Sequence, residues 1–230
     1  MKLVVISDTH LLRQEAINIP EGDVLIHCGD FLNQGGFKEM LRFLEWWKRL
    51  PHKRKLIVAG NHDRCLDEAD EYFNPAAEQL LKECKDTTYL RDSGVKIDTA
   101  QFWGSPWVAS PPRGWGFLRD DKFRKAAFGA IPENVDVLIT HTPPYGVLDG
   151  PCQTSIGMLR GAGCPELRKE LDRIQPAMHF FGHVHERAGD ILIARTGVRM
   201  EKSVCTIFHN AANLNRKYLP YRPASVFELL

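Results

Sequence analysis

The chain lacks any apolar run approaching the ~20 residues that a membrane-spanning helix needs. Its first apolar stretch, Leu3–Ile6, is too short for the core of a secretory signal, and the polar Asp8 and His10 follow at once. An excess of either charge is missing too. Lys and Arg number 30 against 29 Asp and Glu, a formal net charge of +1, so no global attraction to nucleic acid or to an anionic membrane is expected. Cysteines in the CxxC arrangement are absent. The six present (Cys28, Cys65, Cys84, Cys152, Cys164 and Cys205) are scattered. This speaks against a structural zinc site and a disulfide framework, and for reduced, mostly buried thiols in a cytoplasmic protein. Cys152 and Cys164 flank one loop and are the single pair considered for a bridge; the expectation is free thiols. Without repeats or low-complexity segments, 230 residues suit one domain with a sizeable core.

What is present begins with short, strongly apolar runs: Leu3–Ile6, Val24–His27, Leu56–Ala59, Val135–Thr140 and His179–Phe181. Their brevity and lack of alternation fit strands buried on both faces, as in the centre of an α/β sheet. Between them, Phe37, Met40, Leu41, Leu44 and Trp47 recur at helical spacing, as do Ala76, Ala77, Leu80, Leu81 and Cys84. A third helix is marked by Pro165 near its start, followed by Leu167, Leu171 and Ile174. Ser93-Gly94 reads as a turn ahead of a hairpin with arms Val95–Ile97 and Gln101–Trp103. Ile191–Ala194 and Ser203–His209 read as strands joined through Arg195-Thr196-Gly197, and residues 213–230 as an irregular surface tail. The basic run Lys48, Arg49, His52, Lys53, Arg54, Lys55 reads as a solvated turn. Together these predict helices layered around two mixed sheets.

Each central apolar run ends in residues able to bind metal. Leu3–Ile6 leads to Asp8 and His10, Val24–His27 to Asp30, and Leu56–Ala59 to Asn61 and His62. Val135–Thr140 leads to His141, and the last run to His183 and His185. The carboxyl ends of parallel strands share one edge of a sheet, so these residues should converge on one cleft. Gly29, Gly60 and Gly182 stand just before the polar residues, where the chain must turn sharply and approach a ligand closely. With His62 left aside, two carboxylates, four imidazoles and one amide oxygen suffice for two partial octahedra if one carboxylate bridges. Such nitrogen-rich ligation suits manganese, iron, zinc or cobalt better than calcium or magnesium. Two dications and two carboxylates leave a formal surplus of about +2, which a bridging hydroxide lowers to about +1. That charge attracts a phosphate oxyanion, and the pair of metals can clamp it while presenting hydroxide in line.

Asp8-Thr9-His10, Gly29-Asp30, Gly60-Asn61-His62-Asp63, Thr140-His141 and Gly182-His183-Val184-His185 together resemble the motif series of the calcineurin-like metallophosphoesterases. The resemblance implies an α/β fold, a four-layer αββα sandwich. It also implies that Asp8, His10, Asp30 and His185 hold one metal and Asp30, Asn61, His141 and His183 the other, with Asp30 bridging. By the same resemblance His62 is not a ligand; it contacts substrate phosphate and assists the leaving group, oriented by Asp63. The stretch Phe31–Gly35 lacks both the arginine that protein Ser/Thr phosphatases carry there and the tyrosine ligand of purple acid phosphatases. Gly104-Ser105-Pro106-Trp107, His141-Thr142-Pro143-Pro144, Leu148-Asp149, Gly163-Cys164-Pro165 and Phe181–Glu186 resemble the metallophosphoesterase-domain-containing group, which implies action on phosphodiesters, cyclic nucleotides among them.

Other residues read more plainly. His27 is expected in the core; His179 at a strand start and His52 in a basic turn are read as structural or exposed; His209-Asn210, at the end of the last strand, is either structural or a contact at the rim of the site. Trp103, Trp107, Arg113 and Trp115 either line a nucleobase pocket or pack the hairpin or a subunit contact, and that segment permits a homodimer. The segment 145–163, with Arg160, is either a lid or an ordinary loop. The function expected is hydrolysis of a small phosphate ester, a nucleotide-like diester foremost, by a metal-bridging hydroxide, with manganese the metal expected to support it. The alternatives are a phosphomonoesterase, a nuclease, or a non-catalytic scaffold of the same fold.

Overall fold

The computed structural model describes residues 1–11, 17–109, 114–150, 152–154, 157–159, 161–199 and 202–230, with backbone alone for 152–154, 157–159, 193–199 and 202–204. Strands β1 (Lys2–Ile6), β2 (Val24–His27), β3 (Lys55–Ile57) and β4 (Thr87–Tyr89) run parallel in one sheet, and β13 (Ser225–Glu228) is added antiparallel beside β1. The second sheet has the order β11-β12-β10-β7-β6-β5. Its members are β5 (Ser93–Ile97), β6 (Ala100–Ser105), β7 (Val137–Thr140), β10 (Met178–Phe181), β11 (Ile191–Arg199) and β12 (Lys202–Asn210). There β6, β7, β10 and β12 are mutually parallel, while β5 and β11 are antiparallel edges. A small hairpin, β8 (Cys152–Thr154) and β9 (Gly157–Leu159), stands apart within the 145–163 segment.

The apolar runs are buried on both faces because each strand alternates between two cores. In β1, Leu3 and Val5 join Ile26, Leu56, Phe102, Val137, Ile139 and Phe180 between the sheets. Val4 and Ile6 point the other way, into the layer under helix α1 (Phe37–Arg49). α1 buries Met40, Phe43, Leu44, Trp46 and Trp47, and Phe43 stacks on Phe31 at 4.3 Å and on Trp47 at 5.5 Å. Fully burying one such side chain contributes roughly 1.5–3 kcal/mol. Leu41, expected on this face, is 42% exposed; the buried stripe passes through Phe43 and Trp46 instead. Helix α2 (Pro75–Glu83) buries Ala77 and Leu81, and α4 (Pro165–Ile174) buries Leu167, Leu171 and Ile174, giving the outer helical layers.

Five details differ from the sequence reading. Ser93-Gly94 lies inside β5, and Arg195-Thr196-Gly197 inside β11, where the pairing register shifts between Arg195 and Gly197. Helix α3 (Asp121–Gly129) has no matching apolar stripe, since it buries Phe128 alone; it starts where Asp120 accepts the Phe123 amide at 2.7 Å. The carboxy-terminal segment is not merely an irregular tail, because residues 225–228 complete the first sheet. Within the basic run, His52 and Lys55 are buried, and Lys55 Nζ donates to the Trp47 carbonyl. Among the described residues no helix is long and apolar enough to cross a membrane. Cys28, Cys65, Cys84 and Cys164 are free and buried and Cys205 is free and exposed; the side chain of Cys152, and with it the considered bridge to Cys164, lies outside the described residues.

His27, His179 and His209 are core histidines. His27 accepts from the Gly29 amide and meets Thr9 Oγ1 at 3.0 Å, His179 meets Thr140 Oγ1 at 2.9 Å, and His209 Nδ1 donates to the Asp190 carbonyl. Burial lowers their pKa values to about 3, about 3 and about 4. Unfolded, each takes up a proton near 6.5, so below that pH the unfolded chain binds more protons and stability falls. The limiting slope is about 1.4 kcal/mol per pH unit per histidine. Urea unfolding of chelator-treated protein should therefore show a clearly lower midpoint at pH 5 than at pH 6.5. Equal midpoints would mean that these rings are protonated in the folded state.

Candidate metal centre

The carboxyl ends of β1, β2, β3, β7 and β10 bring the expected residues into one cluster. Asp8, His10, Asp30, Asn61, His62 and His141 are buried, and His183 and His185 half-buried. Their backbones are unusual: φ is 54° at Asp8, 46° at His10, 55° at Asp30 and 69° at His183. A left-handed conformation at a non-glycine residue costs about 1–3 kcal/mol and persists only where the surroundings over-determine it. Here the Asp8 amide donates to the Gly29 carbonyl at 2.9 Å and the His10 amide to the Asp30 carbonyl at 3.0 Å. The His183 amide donates to the Asp8 carboxylate at 3.0 Å, and the Asp30 amide to Asp63 Oδ2 at 2.9 Å. The glycines work by proximity, as their positions suggested. A Cβ on Gly29 would lie 2.6 Å from His141 Nδ1, one on Gly60 would lie 2.6 Å from the Asp30 amide, and one on Gly182 would collide with Ser7 and Asp8.

Three overlapping groups each bring one donor atom per residue within 4.8 Å: Asp8, His10 and His185; His10, Asp30 and His62; Asp30, His141 and His183. Asp30 Oδ2 stands 3.3 Å from His141 Nε2 and 3.8 Å from His10 Nε2, between the first and third groups. Asp8 Oδ1 lies 3.2 Å from His185 Nε2, which lies 3.3 Å from His10 Nε2. His141 Nε2 is also 3.2 Å from Asn61 Oδ1. Ligands about 2.1 Å from a common ion are separated by about 3.0–3.4 Å, so four of these five distances fit the edges of coordination polyhedra, while the 3.8 Å between His10 and Asp30 is longer.

The tautomers sharpen the fit. His141 Nδ1 donates to the Cys28 carbonyl at 2.9 Å and His185 Nδ1 to the Asn215 carbonyl at 3.1 Å. Both Nε2 lone pairs then face other acceptors, the Asp30 carboxylate and Asn61 amide oxygen in one case and the Asp8 carboxylate in the other. Such a buried arrangement is satisfied only by a cation, either a proton or a metal ion. Without metal, protons take that place. Burial pushes His141 down, but the Asp30 carboxylate outweighs it and raises the ring to about 9. Burial likewise opposes Asp30, yet His141, with His62 and His10, holds its carboxyl well below the usual range. His185 is raised by Asp8 against the effect of burial, whereas burial lowers His10 to about 3 and His183 to about 4.

Residues 1–187 match the family model for calcineurin-like phosphoesterases. The chain belongs to that family. A UPF0046 protein of Caenorhabditis elegans is 41% identical over 226 residues, covering 94% of this chain and 71% of that protein. The human metallophosphoesterase domain-containing protein 1 is 36% identical over 246 residues, covering 99% of this chain and 71% of that protein. The two mixed sheets flanked by helices agree with the fold of this family, and its chemistry is metal-dependent phosphoester hydrolysis.

In this phosphoesterase His62 is held on several sides. Its Nδ1 donates to the Asn33 carbonyl at 2.5 Å, its ring makes a T-shaped contact with His10 at 4.6 Å, and Trp115 packs against it, tilted, at 3.9 Å. Its Nε2 is left 4.0 Å from Asp30 Oδ2. The Asn33 loop is itself clamped, because Glu39 Oε2 accepts the amides of Asn33, Gln34 and Gly35 at 3.0, 2.8 and 2.9 Å. Asp63 does not orient His62 as expected. Its carboxylate is taken up by the backbone amides of Gly60, Asp30 and Leu32 at 2.7, 2.9 and 2.9 Å, so it ties together the loops that carry Asp30 and Asn61.

Trp107 is core: it is 3% exposed and its Nε1 donates to Asp92. Trp103 packs partly buried on the same core, so of the tryptophans singled out Trp115 alone touches the cluster, while Arg113 and Arg160 lie outside the described residues. Asn210, rather than His209, supports the site by donating to the Val184 carbonyl at 3.0 Å. The carboxy-terminal segment supplies Asn215, already noted, and Tyr218, whose ring lies 4.9 Å from His10 and 5.3 Å from His185. Neither has a motif; both arrive because Asn213 pairs with the backbone of Ser7 at the end of β1.

Asp63→Asn places an amide NH₂ among three backbone donors. It should lower the stability of the metal-free chain by roughly 1–3 kcal/mol and reduce metal content after reconstitution. Normal stability and metal content with depressed turnover would return Asp63 to a role through His62.

Proposed function

We propose that the chain is a two-metal phosphodiesterase acting on a small, nucleotide-like substrate. The observation that carries the proposal is the convergence of acceptor atoms, the carboxylates of Asp8 and Asp30 and the Asn61 amide oxygen, with the imidazoles on a buried site that needs cations. Asp8, His10, Asp30 and His185 would hold one divalent ion and Asp30, Asn61, His141 and His183 the other, Asp30 belonging to both sets. Manganese, iron, zinc and cobalt suit this donor set. When bound, such a pair supplies Lewis-acid polarisation of the phosphoryl oxygens and acidifies a water towards neutral pH.

The chain's own residues do the rest. His62, with Nδ1 committed to Asn33, has Nε2 available on the side of Asp30, where it can exchange a proton with the leaving oxygen. Phe31–Gly35 carries no arginine, and Arg64 and Arg119 are held by Asp70 and Asp67. A diester, with one negative charge, demands less neutralisation than a monoester dianion, which favours the diester. Tyr218, 39% exposed beside His10 and His185, offers aromatic surface at the rim for a nucleoside-sized group.

Hydrolysis of a chromogenic phosphodiester by chelator-stripped protein should appear on adding manganese and exceed that of the matching monoester. Failure with manganese, iron, cobalt and zinc would leave a non-catalytic scaffold; a higher monoester rate, or efficient cleavage of oligonucleotides, would replace the small-diester assignment. Asp30→Asn should weaken both metal sites. His62→Ala should lower kcat on the order of 10²-fold or more while retaining metal; loss of metal instead would make His62 a ligand.

A further inference from the structure

Trp115 packs against the imidazole of His62 with ring centroids 3.9 Å apart and the two rings tilted by 38°. It is half-buried on a loop that the site itself holds in place. The Gly116 amide donates to the carbonyl of Asn61 at 2.9 Å, and Gly116 approaches so closely that an added Cβ would lie 3.3 Å from Arg64 Cα. One residue further, the Phe117 amide donates to Asp67, and the Phe117 ring is fully buried in the core. Gly114, at φ +83°, allows the reversal on the other side. The indole is thus anchored to the same backbone that carries Asn61 and His62.

We infer that Trp115 is a positioning residue that fixes the ring plane of His62, and that it is not a surface for the substrate base. A single hydrogen bond at Nδ1 leaves the imidazole free to swing about the line to Asn33. The indole on one face and the edge of His10 close that freedom, so Nε2 keeps one place relative to Asp30. His62 occupies one side of the indole at 3.9 Å, and a base can stack on that side only by displacing it. Misplacing a proton-transferring atom by about 1 Å can cost ~10²-fold in rate, which makes such a restraint consequential.

The inference rests on the hydrolase reading above, and a wild-type protein inactive with every metal would end that reading first. With an active wild type, Trp115→Ala and Trp115→Leu should each lower kcat about tenfold at unchanged KM and metal content, while Trp115→Phe, which keeps a stacking face, restores most of it. In a His62→Ala background, Trp115→Ala should change kcat less than about twofold. In the metal-free protein, the His62 ring protons should resonate upfield under the indole in wild type and in Trp115→Phe, and lose that shift in Trp115→Leu. A raised KM with constant kcat, or an equal loss in both backgrounds, would make Trp115 a substrate contact. Loss of metal would make it a support of Asn61, and an unchanged kcat would give it no part in the reaction; each result overturns the inference.

Discussion

Buried lone pairs that face one another are tolerated only when a cation lies among them. The cluster of Asp8, His10, Asp30, Asn61, His141, His183 and His185 is built on that constraint, and much of the surrounding backbone is arranged to maintain it. Four of these positions take left-handed backbone, three nearby glycines leave no room for a side chain, and Asp63 spends its carboxylate on loop amides. The left-handed positions and the glycines are unfavourable or neutral for folding, whereas the Asp63 hydrogen bonds tie the loops together. The cost of the strained backbone is offset by two sheets whose central strands β1, β2, β3, β7 and β10 are buried on both faces.

The site is a property of the pair of sheets. β1, β2 and β3 bring Asp8, His10, Asp30 and Asn61, while β7 and β10 bring His141, His183 and His185. The inter-sheet core of Leu3, Val5, Ile26, Phe102, Ile139 and Phe180 sets how the two edges meet. Direct ties then cross between them: the His183 amide on the Asp8 carboxylate, the His141 ring on the Cys28 carbonyl, and the Ser7 backbone on Asn213. The carboxy-terminal segment takes part because Asn213 lies against Ser7, which delivers Asn215 and Tyr218 to the histidines of one half of the cluster.

Much of this was legible in the chain itself. The apolar runs are strands, their polar followers gather, and the glycines stand where close approach occurs. The failures have identifiable causes. α3 escaped notice because it buries one large side chain, so no helical stripe exists to be seen. Ser93-Gly94 and Arg195-Thr196-Gly197 carry turn-forming residues, but long-range pairing to β6 and β12 overrides local preference. Asp63 was misread because its neighbour in sequence, His62, is not its partner in space. Among the aromatics, Trp107 is held by Asp92 and Trp115 by the Gly116 bond to Asn61, a difference that depends on contacts remote in sequence.

The sequence by itself determined the chemistry, because donor atoms are properties of residue types and their placement after apolar strands follows from the register of an α/β sheet. It also determined where the chain must be thin, because only glycine lacks the atom that would collide. Tertiary structure decided which donors face one another, which ring nitrogen carries the proton, and which supporting groups hold them: Glu39 for the Asn33 loop, Asp63 for three amides, Asn215 for His185 and Trp115 for His62. These are choices of direction over a few ångströms, and a hydrogen bond or a ring stack depends on direction in a way that residue order does not encode.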